Sequence, residues 1–351
     1  MPLQILQKTW NENILFSCLV ELTYRCNLDC FFCYNDLGLK GQPLGDAQYD
    51  GLMTDLAAMQ VMNLTFTGGE PLAHPSFLGY GRRAHELGFV VRIKSNGHAL
   101  RGQLARQIRE EVDPFLLEIS LHGATAEAHD RQTRIAGSFD RLMSNLEELI
   151  GLGFRIKLSG TLTRWNEDQI EEMFALADGL GVRFSLSATV TPRDDGDTSP
   201  LAVAPSREAV KRLYAYLDDR IPDSDETGTC SGSPGVATNC GAGVAGLAVD
   251  PFGNVYPCVQ WRRPLGNLHQ ASIREIWQGS PALGDVRSVN RQARQQTVQL
   301  GAQAAGLSHC MGLSEEKTGD PLAMDPMAVS NAGVLREMRS ERGRPLLPVV
   351  D

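Results

Sequence analysis

The sequence predicts an α/β protein: a partial (β/α)6 parallel barrel followed by a small α+β unit. Three observations carry this reading. Short apolar runs alternate with amphipathic stretches from residue 16 to about residue 190. The runs are rich in Val, Ile, Leu and Phe, as strands of a doubly covered parallel sheet should be. After Ala188 the alternation stops and a Pro, Asp and Gly-rich stretch leads into a second region with its own cysteines. Six strand–helix units are too few for a closed eight-unit barrel, so the barrel is open. At roughly 100–200 residues per domain, the length of 351 leaves room for the second unit.

The expected strands are Ser17–Thr23, Asn63–Thr67, Val90–Ser95, Phe115–Leu121, Arg155–Leu162 and Arg183–Ala188. Helical stripes lie between them: Leu52, Leu56 and Met59; Leu142, Leu146, Leu149 and Ile150; Ile170, Met173, Phe174 and Ala177. Residues 1–15 form an N-terminal extension and 16–190 the barrel, while 191–229 hold a linker (Thr191–Pro205) and a helix, Arg207–Asp218, capped by Ser206. The second unit spans 230–322. It contains a hairpin, Leu247–Val249 and Val255–Pro257 about Gly253, and a short helix, Ser272–Gln278. Residues 311–351 show no sustained period and read as extended, with 323–351 a C-terminal tail.

Charge and composition exclude several classes. Lys and Arg number 33 against 42 Asp and Glu, a net charge of −9, which argues against a broad nucleic-acid-binding face. No apolar run of about 18–20 residues marks a membrane span, and Ile14–Val20 is too short for a secretory signal. Eight cysteines, at 18, 26, 30, 33, 230, 240, 258 and 310, are too sparse for a disulfide scaffold, and three fall within eight residues. A reducing, cytoplasmic setting follows, in which clustered thiols are metal ligands or redox groups more often than bridges.

In parallel α/β folds the chemistry gathers at the C-terminal ends of the strands. Here those ends carry Tyr24–Arg25–Cys26, Gly68–Gly69–Glu70–Pro71, Ser95–Asn96–Gly97, His122–Gly123 and Thr163–Arg164–Trp165–Asn166. Cys26-x3-Cys30-x2-Cys33 follows the first strand directly. Three thiolates on a short loop reach three corners of a four-iron cluster and leave the fourth iron open. Zinc is the competing reading, but it wants a fourth Cys or His nearby. At Cys26-Asn-Leu-Asp-Cys30-Phe-Phe-Cys33-Tyr the chain resembles the radical S-adenosylmethionine superfamily. The resemblance covers residues 16–190 and implies a [4Fe-4S] cluster whose open iron chelates S-adenosylmethionine. It further implies that Phe32 lies near adenine, that Gly68, Gly69, Glu70 and Pro71 receive the methionine amino group, and that Ser95 and Asn96 face the ribose. Ser120 and Thr161 fall where further cofactor contacts are expected.

Cys240-x12-Gly253-x4-Cys258, followed by Gly266-Asn267-Leu268 and Ser272-Ile-Arg-Glu-Ile-Trp277, resembles the SPASM or twitch auxiliary-cluster domain of peptide-modifying members, and Cys310-Met-Gly resembles its closing cysteine. The dense central run of cysteines is reduced to Cys310, so the domain is a truncated one. Cys230, Cys240, Cys258 and Cys310 suffice for one auxiliary iron–sulfur cluster, with Cys230 either its fourth ligand or a reactive thiol. Cys18 sits within the first strand and reads as core.

His122 lies near the barrel mouth, where it either titrates usefully or caps a loop, and Arg262–Arg263 either pair with an acidic substrate or form a solvated face. No residue is marked as a catalytic acid or base. The resemblance is to members of pyrroloquinoline quinone biosynthesis and mycofactocin maturation, and it implies hydrogen abstraction from a ribosomally made peptide, leading to a crosslink, decarboxylation or epimerisation. A tetrapyrrole or sugar substrate is the alternative; a non-catalytic electron carrier is the other, and the strand-end array disfavours it. An external electron donor such as flavodoxin or ferredoxin is expected. With only 25 residues before Cys26, a separate leader-peptide-binding protein is expected as well.

Overall fold

The computed structural model describes residues 3–36, 38–220 and 236–344. The strands are β1 (Ser17–Glu21), β2 (Asn63–Thr67), β3 (Val90–Ser95), β4 (Leu116–Ser120), β5 (Ile156–Thr161), β6 (Arg183–Ser187), β7 (Gly246–Val249), β8 (Asn254–Tyr256) and β9 (Gly266–Asn267). The helices are α1 (Leu3–Asn11), α2 (Asp46–Ala58), α3 (Phe77–Glu86), α4 (Gly102–Gln107), α5 (Ala126–Thr133), α6 (Ser138–Gly151), α7 (Ile170–Gly179), α8 (Arg207–Arg220), α9 (Ile273–Gly279), α10 (Pro281–Leu300), α11 (Met311–Thr318) and α12 (Pro326–Glu341).

All strands join one sheet in the order β6-β5-β4-β3-β2-β1-β7-β8-β9. From β1 to β6 each strand lies parallel beside its predecessor, the progression of a barrel and not of a doubly wound sheet. The second unit is continuous with the first: β7 pairs parallel with β1, Cys18 standing between Leu64 and Leu247. One apolar core runs through both, from Val20, Phe66 and Ile93 to Trp261, Ile276 and Val286.

Strands β2 to β5 bury mainly one face, contrary to the doubly covered pattern expected, whereas β7 is buried on both. Leu64, Phe66, Val91, Ile93, Leu117, Ile119 and Leu158 are buried. Their alternates include Thr65, Lys94, Glu118, Lys157 and Ser159, and alternation puts these on the opposite, inner face. An open barrel admits water there, and Lys94 pairs with Glu118 at 3.1 Å.

One further expectation is corrected. Residues 311–344 are not extended. Asp325 caps α12 at the Met327 N–H, and α12 packs on α8, where Lys211 bonds Glu337 at 3.1 Å and Asp218 accepts from Arg344 at 2.8 Å. The Thr191–Pro205 linker is tied down along its length. Its Asp195 and Asp197 accept backbone N–H groups in local turns, Pro200 and Val203 are buried, and Asp194 donates its N–H to the Tyr34 carbonyl at 2.8 Å.

Candidate active site

The loop carrying Cys26, Cys30 and Cys33 is held from several sides. The C-terminal end of α5 accepts from it: Asp29 N–H to the Thr133 carbonyl and Phe31 N–H to the Gln132 carbonyl, at 3.1 and 3.2 Å. On the other side Asn35 donates to the Gly68 carbonyl at 3.0 Å, and the Asn96 amide donates to Asn27 at 2.7 Å and lies 3.8 Å from the Cys26 Sγ. Phe31 packs on Trp165, with ring centroids 5.1 Å apart. Burial, then the charge of neighbouring Cys33 and Cys26, pushes the Cys30 thiol up; burial raises Cys26 and Cys33 as well. Thiolates crowded in this way are costly unless a cation sits among them, so the donor set fits an iron cluster. Among the described residues no three His, Cys, Asp or Glu side chains converge as a single-ion site would require.

The glycine pair has a physical reason within the fold. Gly68 has φ +139°, and a Cβ there would lie 2.3 Å from the Thr23 carbonyl oxygen; one on Gly69 would lie 2.6 Å from that of Arg25. The two glycines let the β2 end press against the entry to the cysteine loop, where Gly69 and Glu70 donate N–H groups to the Thr23 and Arg25 carbonyls at 2.7 and 2.9 Å. Glu70 is 1% exposed and its carboxylate is already engaged. It accepts from Ser95 Oγ at 2.9 Å, from Asn96 N–H at 2.8 Å and from Leu72 N–H at 3.2 Å. Burial raises it to about 7 against the pull of these bonds. Glu70 thus braces the β2 and β3 ends, and its three donors leave part of the carboxylate's accepting capacity free.

A cavity of ≈ 250 Å³ collects Cys26, Cys30, Cys33, Gly68, Gly69, Ser95, Asn96 and Ser120, together with Lys94, Glu118 and His122. Phe32 and Thr161 line a neighbouring cavity of ≈ 330 Å³ with Ser187, Thr189, Gln260 and Leu313, and Tyr34 lines both. Pro71 is buried at the start of a 3-10 turn and lines neither. The His122 ring is buried, lies 4.8 Å from that of Phe32, and is pushed down to about 3 by burial and by His129, so it stays neutral and does not titrate near pH 7.

The segments that carry Cys240, Cys258 and Cys310 are joined by three ties. Gly243 of the Cys240 turn donates its N–H to the Pro257 carbonyl at 3.2 Å. The Asn239 amide donates to the His309 carbonyl at 2.8 Å. A Cβ on Gly312 would lie 2.1 Å from the Gln260 carbonyl oxygen, so only glycine lets α11 sit against the Cys258 segment. Asn290 of α10, fully buried, accepts from the Asn239 and Cys240 N–H groups and donates to the Cys240 and Ala242 carbonyls. Burial and the charge of Cys310 push Cys258 up to about 11, the same crowding seen in the first group. Cys230 lies outside the described residues. Cys18 is core as expected, raised by burial to about 12. Arg262 is neither a solvated nor a substrate-facing cation: Glu21 and Asp194 hold it. Arg263 pairs with Glu315.

Sequence reasoning missed the parts played by Tyr34 and Asn290. Asn166, expected at a strand end, is fully buried and donates to the His122 and Thr161 carbonyls, joining the β4 and β5 ends. Asn290 sits mid-helix and carries no local signal.

Comparison with known proteins agrees with this geometry. The fold matches that of anSMEcpe with bound AdoMet and the Cp18Cys peptide, with a TM-score of 0.68, 14% identity, and coverage of 93% of this chain and 98% of that one. Residues 20–177 match the radical SAM superfamily and 240–299 the iron–sulfur cluster-binding SPASM domain. The chain is 32% identical over 284 residues to the mycofactocin maturase MftC of Mycolicibacterium smegmatis, covering 76% of this chain and 71% of that protein. It is 29% identical over 336 residues to the PqqA peptide cyclase of Ruegeria pomeroyi (88% and 86%), and 24% over 340 residues to the AdoMet-dependent heme synthase of Methanosarcina barkeri (89% and 96%). The chain belongs to the radical SAM superfamily and is an enzyme. Its cofactors are a [4Fe-4S] cluster, S-adenosylmethionine and an auxiliary iron–sulfur cluster. No helix among the described residues is long and apolar enough to cross a membrane.

Proposed function

We propose that this enzyme abstracts hydrogen from a ribosomally synthesised peptide held between its two iron–sulfur sites. The observation that carries the reading is the ≈ 330 Å³ cavity bounded by Phe32 and Tyr34 of the first cysteine loop and by Gln260 and Leu313, which follow Cys258 and Cys310. Cys26, Cys30 and Cys33 would hold the first cluster, and Cys240, Cys258 and Cys310 the auxiliary one. When bound, the cluster and S-adenosylmethionine would supply the one-electron radical chemistry that takes hydrogen from the substrate. The chain's own residues do the rest. The Gly68–Gly69 backbone, Ser95, Asn96 and Ser120 would bind and orient the nucleoside, with Phe32 and buried His122 walling it from water. Thr161, Ser187, Thr189 and Gln260 would position the reacting side chain.

The charge of this cavity supports a peptide over a tetrapyrrole. Its lining is Phe32, Tyr34, Thr161, Ser187, Thr189, Val190, Thr191, Gln260 and Leu313, with no Lys or Arg. A tetrapyrrole with several carboxylates would need cationic partners, whereas hydroxyls and an amide suit one neutral side chain and its backbone. A one-electron donor such as flavodoxin or ferredoxin would supply the first cluster.

The test uses short peptides encoded beside the gene, deuterated at candidate carbons, with the reconstituted enzyme under anaerobic conditions. Deuterium in the recovered 5′-deoxyadenosine supports the reading and locates the carbon. Cleavage without transfer from any of them, alongside transfer from a small molecule, overturns it.

A further inference from the structure

Arg262 joins the segment after Cys258 to the end of β1 and to the segment bound at Tyr34. Its Nη1 and Nη2 donate to Glu21 at 2.8 and 2.9 Å, and its Nε donates to Asp194 at 3.0 Å. The guanidinium also lies 5.2 Å from the Tyr256 ring centroid. Each partner leads to a cluster loop. Glu21 ends β1, five residues before Cys26, and accepts from the Tyr24 hydroxyl at 3.1 Å. Asp194 binds the Tyr34 carbonyl through its N–H, and Tyr34 directly follows Cys33. Arg262 itself lies four residues beyond Cys258.

Glu21 is fully buried, and the Arg262 and Asp194 side chains are 18% and 17% exposed. Burying two carboxylates on one guanidinium is a poor route to stability, since well-packed apolar residues would serve as well. Burial alone would lower the Arg262 guanidinium, yet its bonds to Glu21 and the charges of Glu21 and Asp194 hold it above its ordinary range. It therefore stays a fixed positive charge.

We propose that Arg262 is a positioning residue for both iron–sulfur sites: it fixes the auxiliary thiolate segment against the first cysteine loop and supplies a positive charge at that junction. The proposal rests on the two-cluster assignment above. A nearby cation stabilises the more negative, reduced state of a cluster, so removing it lowers the midpoint potential, and removing a nearby anion raises it.

The test is an EPR-monitored redox titration of the full chain with its clusters, at pH 8. In Arg262→Met the auxiliary midpoint should move to more negative potential, and Arg262→Lys should recover part of that shift. Asp194→Asn, which keeps the fork to Glu21, should move the first cluster's midpoint to more positive potential. Asp194→Asn keeps the question decidable if the Met variant does not fold. Unchanged midpoints in an intact variant would show a merely structural clasp and overturn the proposal. Limited proteolysis of the metal-free protein gives an independent readout: Arg262→Met should open the 188–206 segment to cleavage, and an unaltered pattern counts against the clasp. Wild-type protein that assembled no cluster would defeat the functional reading instead, and the proteolysis would still judge the clasp.

Discussion

The two thiol groups are built in opposite ways. Cys26, Cys30 and Cys33 lie on one loop, and the neighbouring strand ends only steady it: Glu70 ties β2 to β3, Asn96 reaches Asn27, and Asn35 reaches Gly68. Cys240, Cys258 and Cys310 come from three separate segments that the tertiary fold must bring together through Asn290, Asn239 and Gly312. The first group has its ligands at high local concentration before folding finishes. The second closes two long loops and depends on packing for every contact. Lesions near the first should act on chemistry, and lesions near the second on assembly.

The largest effect should come from Cys30→Ala, which removes one of three local ligands. Reductive cleavage of S-adenosylmethionine should fall to background, read by chromatography of 5′-deoxyadenosine after dithionite reduction. Cleavage at wild-type rate would break the assignment of the first site. Gly312→Ala comes next. With 2.1 Å to the Gln260 oxygen there is no room for a methyl, so α11 must shift. Iron should drop from roughly eight to roughly four per chain while cofactor cleavage persists. Full iron in this variant would show that the second group does not depend on that close approach.

Glu70 sharpens the contrast through pH. Its carboxyl is raised to about 7 from 4.5 in the folded protein, so the folded state holds the proton more tightly. Stability from this group is fully present below about pH 4.5 and is lost as pH rises through 7, by about 3 kcal/mol. Glu70→Gln in metal-free protein should abolish that slope in denaturant titrations at pH 5 and pH 8; an unchanged slope would place its origin elsewhere. The smallest effect is expected from Thr189→Val in the cavity between the groups. Losing one hydroxyl partner costs about 0.5–1.5 kcal/mol, a rise in KM of about two- to tenfold with kcat nearly kept. A large fall in kcat with KM unchanged would mean that Thr189 acts in the reaction itself.

Legibility in the sequence followed the same divide. The strands β1 to β6 and the first cysteine loop were readable because their information is local: apolar runs, strand-end glycines, and thiols within eight residues. β7 was read as a strand, but its pairing with β1 was not, since pairing partners far apart in sequence leave no periodic trace. Helix α12 was missed because its buried Ala332, Val334 and Met338 make no regular stripe, although Asp325-Pro326 is a helix start that a closer reading of capping would have found. Glu70 is legible as a site residue from its motif, but its ties to Ser95, Asn96 and Leu72 are not, because those partners are set by how the β2 and β3 ends meet.

Whether two separate thiol groups hold two clusters is decided by the iron content of the Cys26/Cys30/Cys33→Ala triple variant. Roughly four irons per chain are expected, retained by Cys240, Cys258 and Cys310 in a protein whose circular dichroism matches wild type. A triple variant with its fold intact and no iron would contradict the two-cluster assignment, leaving the second group of thiols without a cluster.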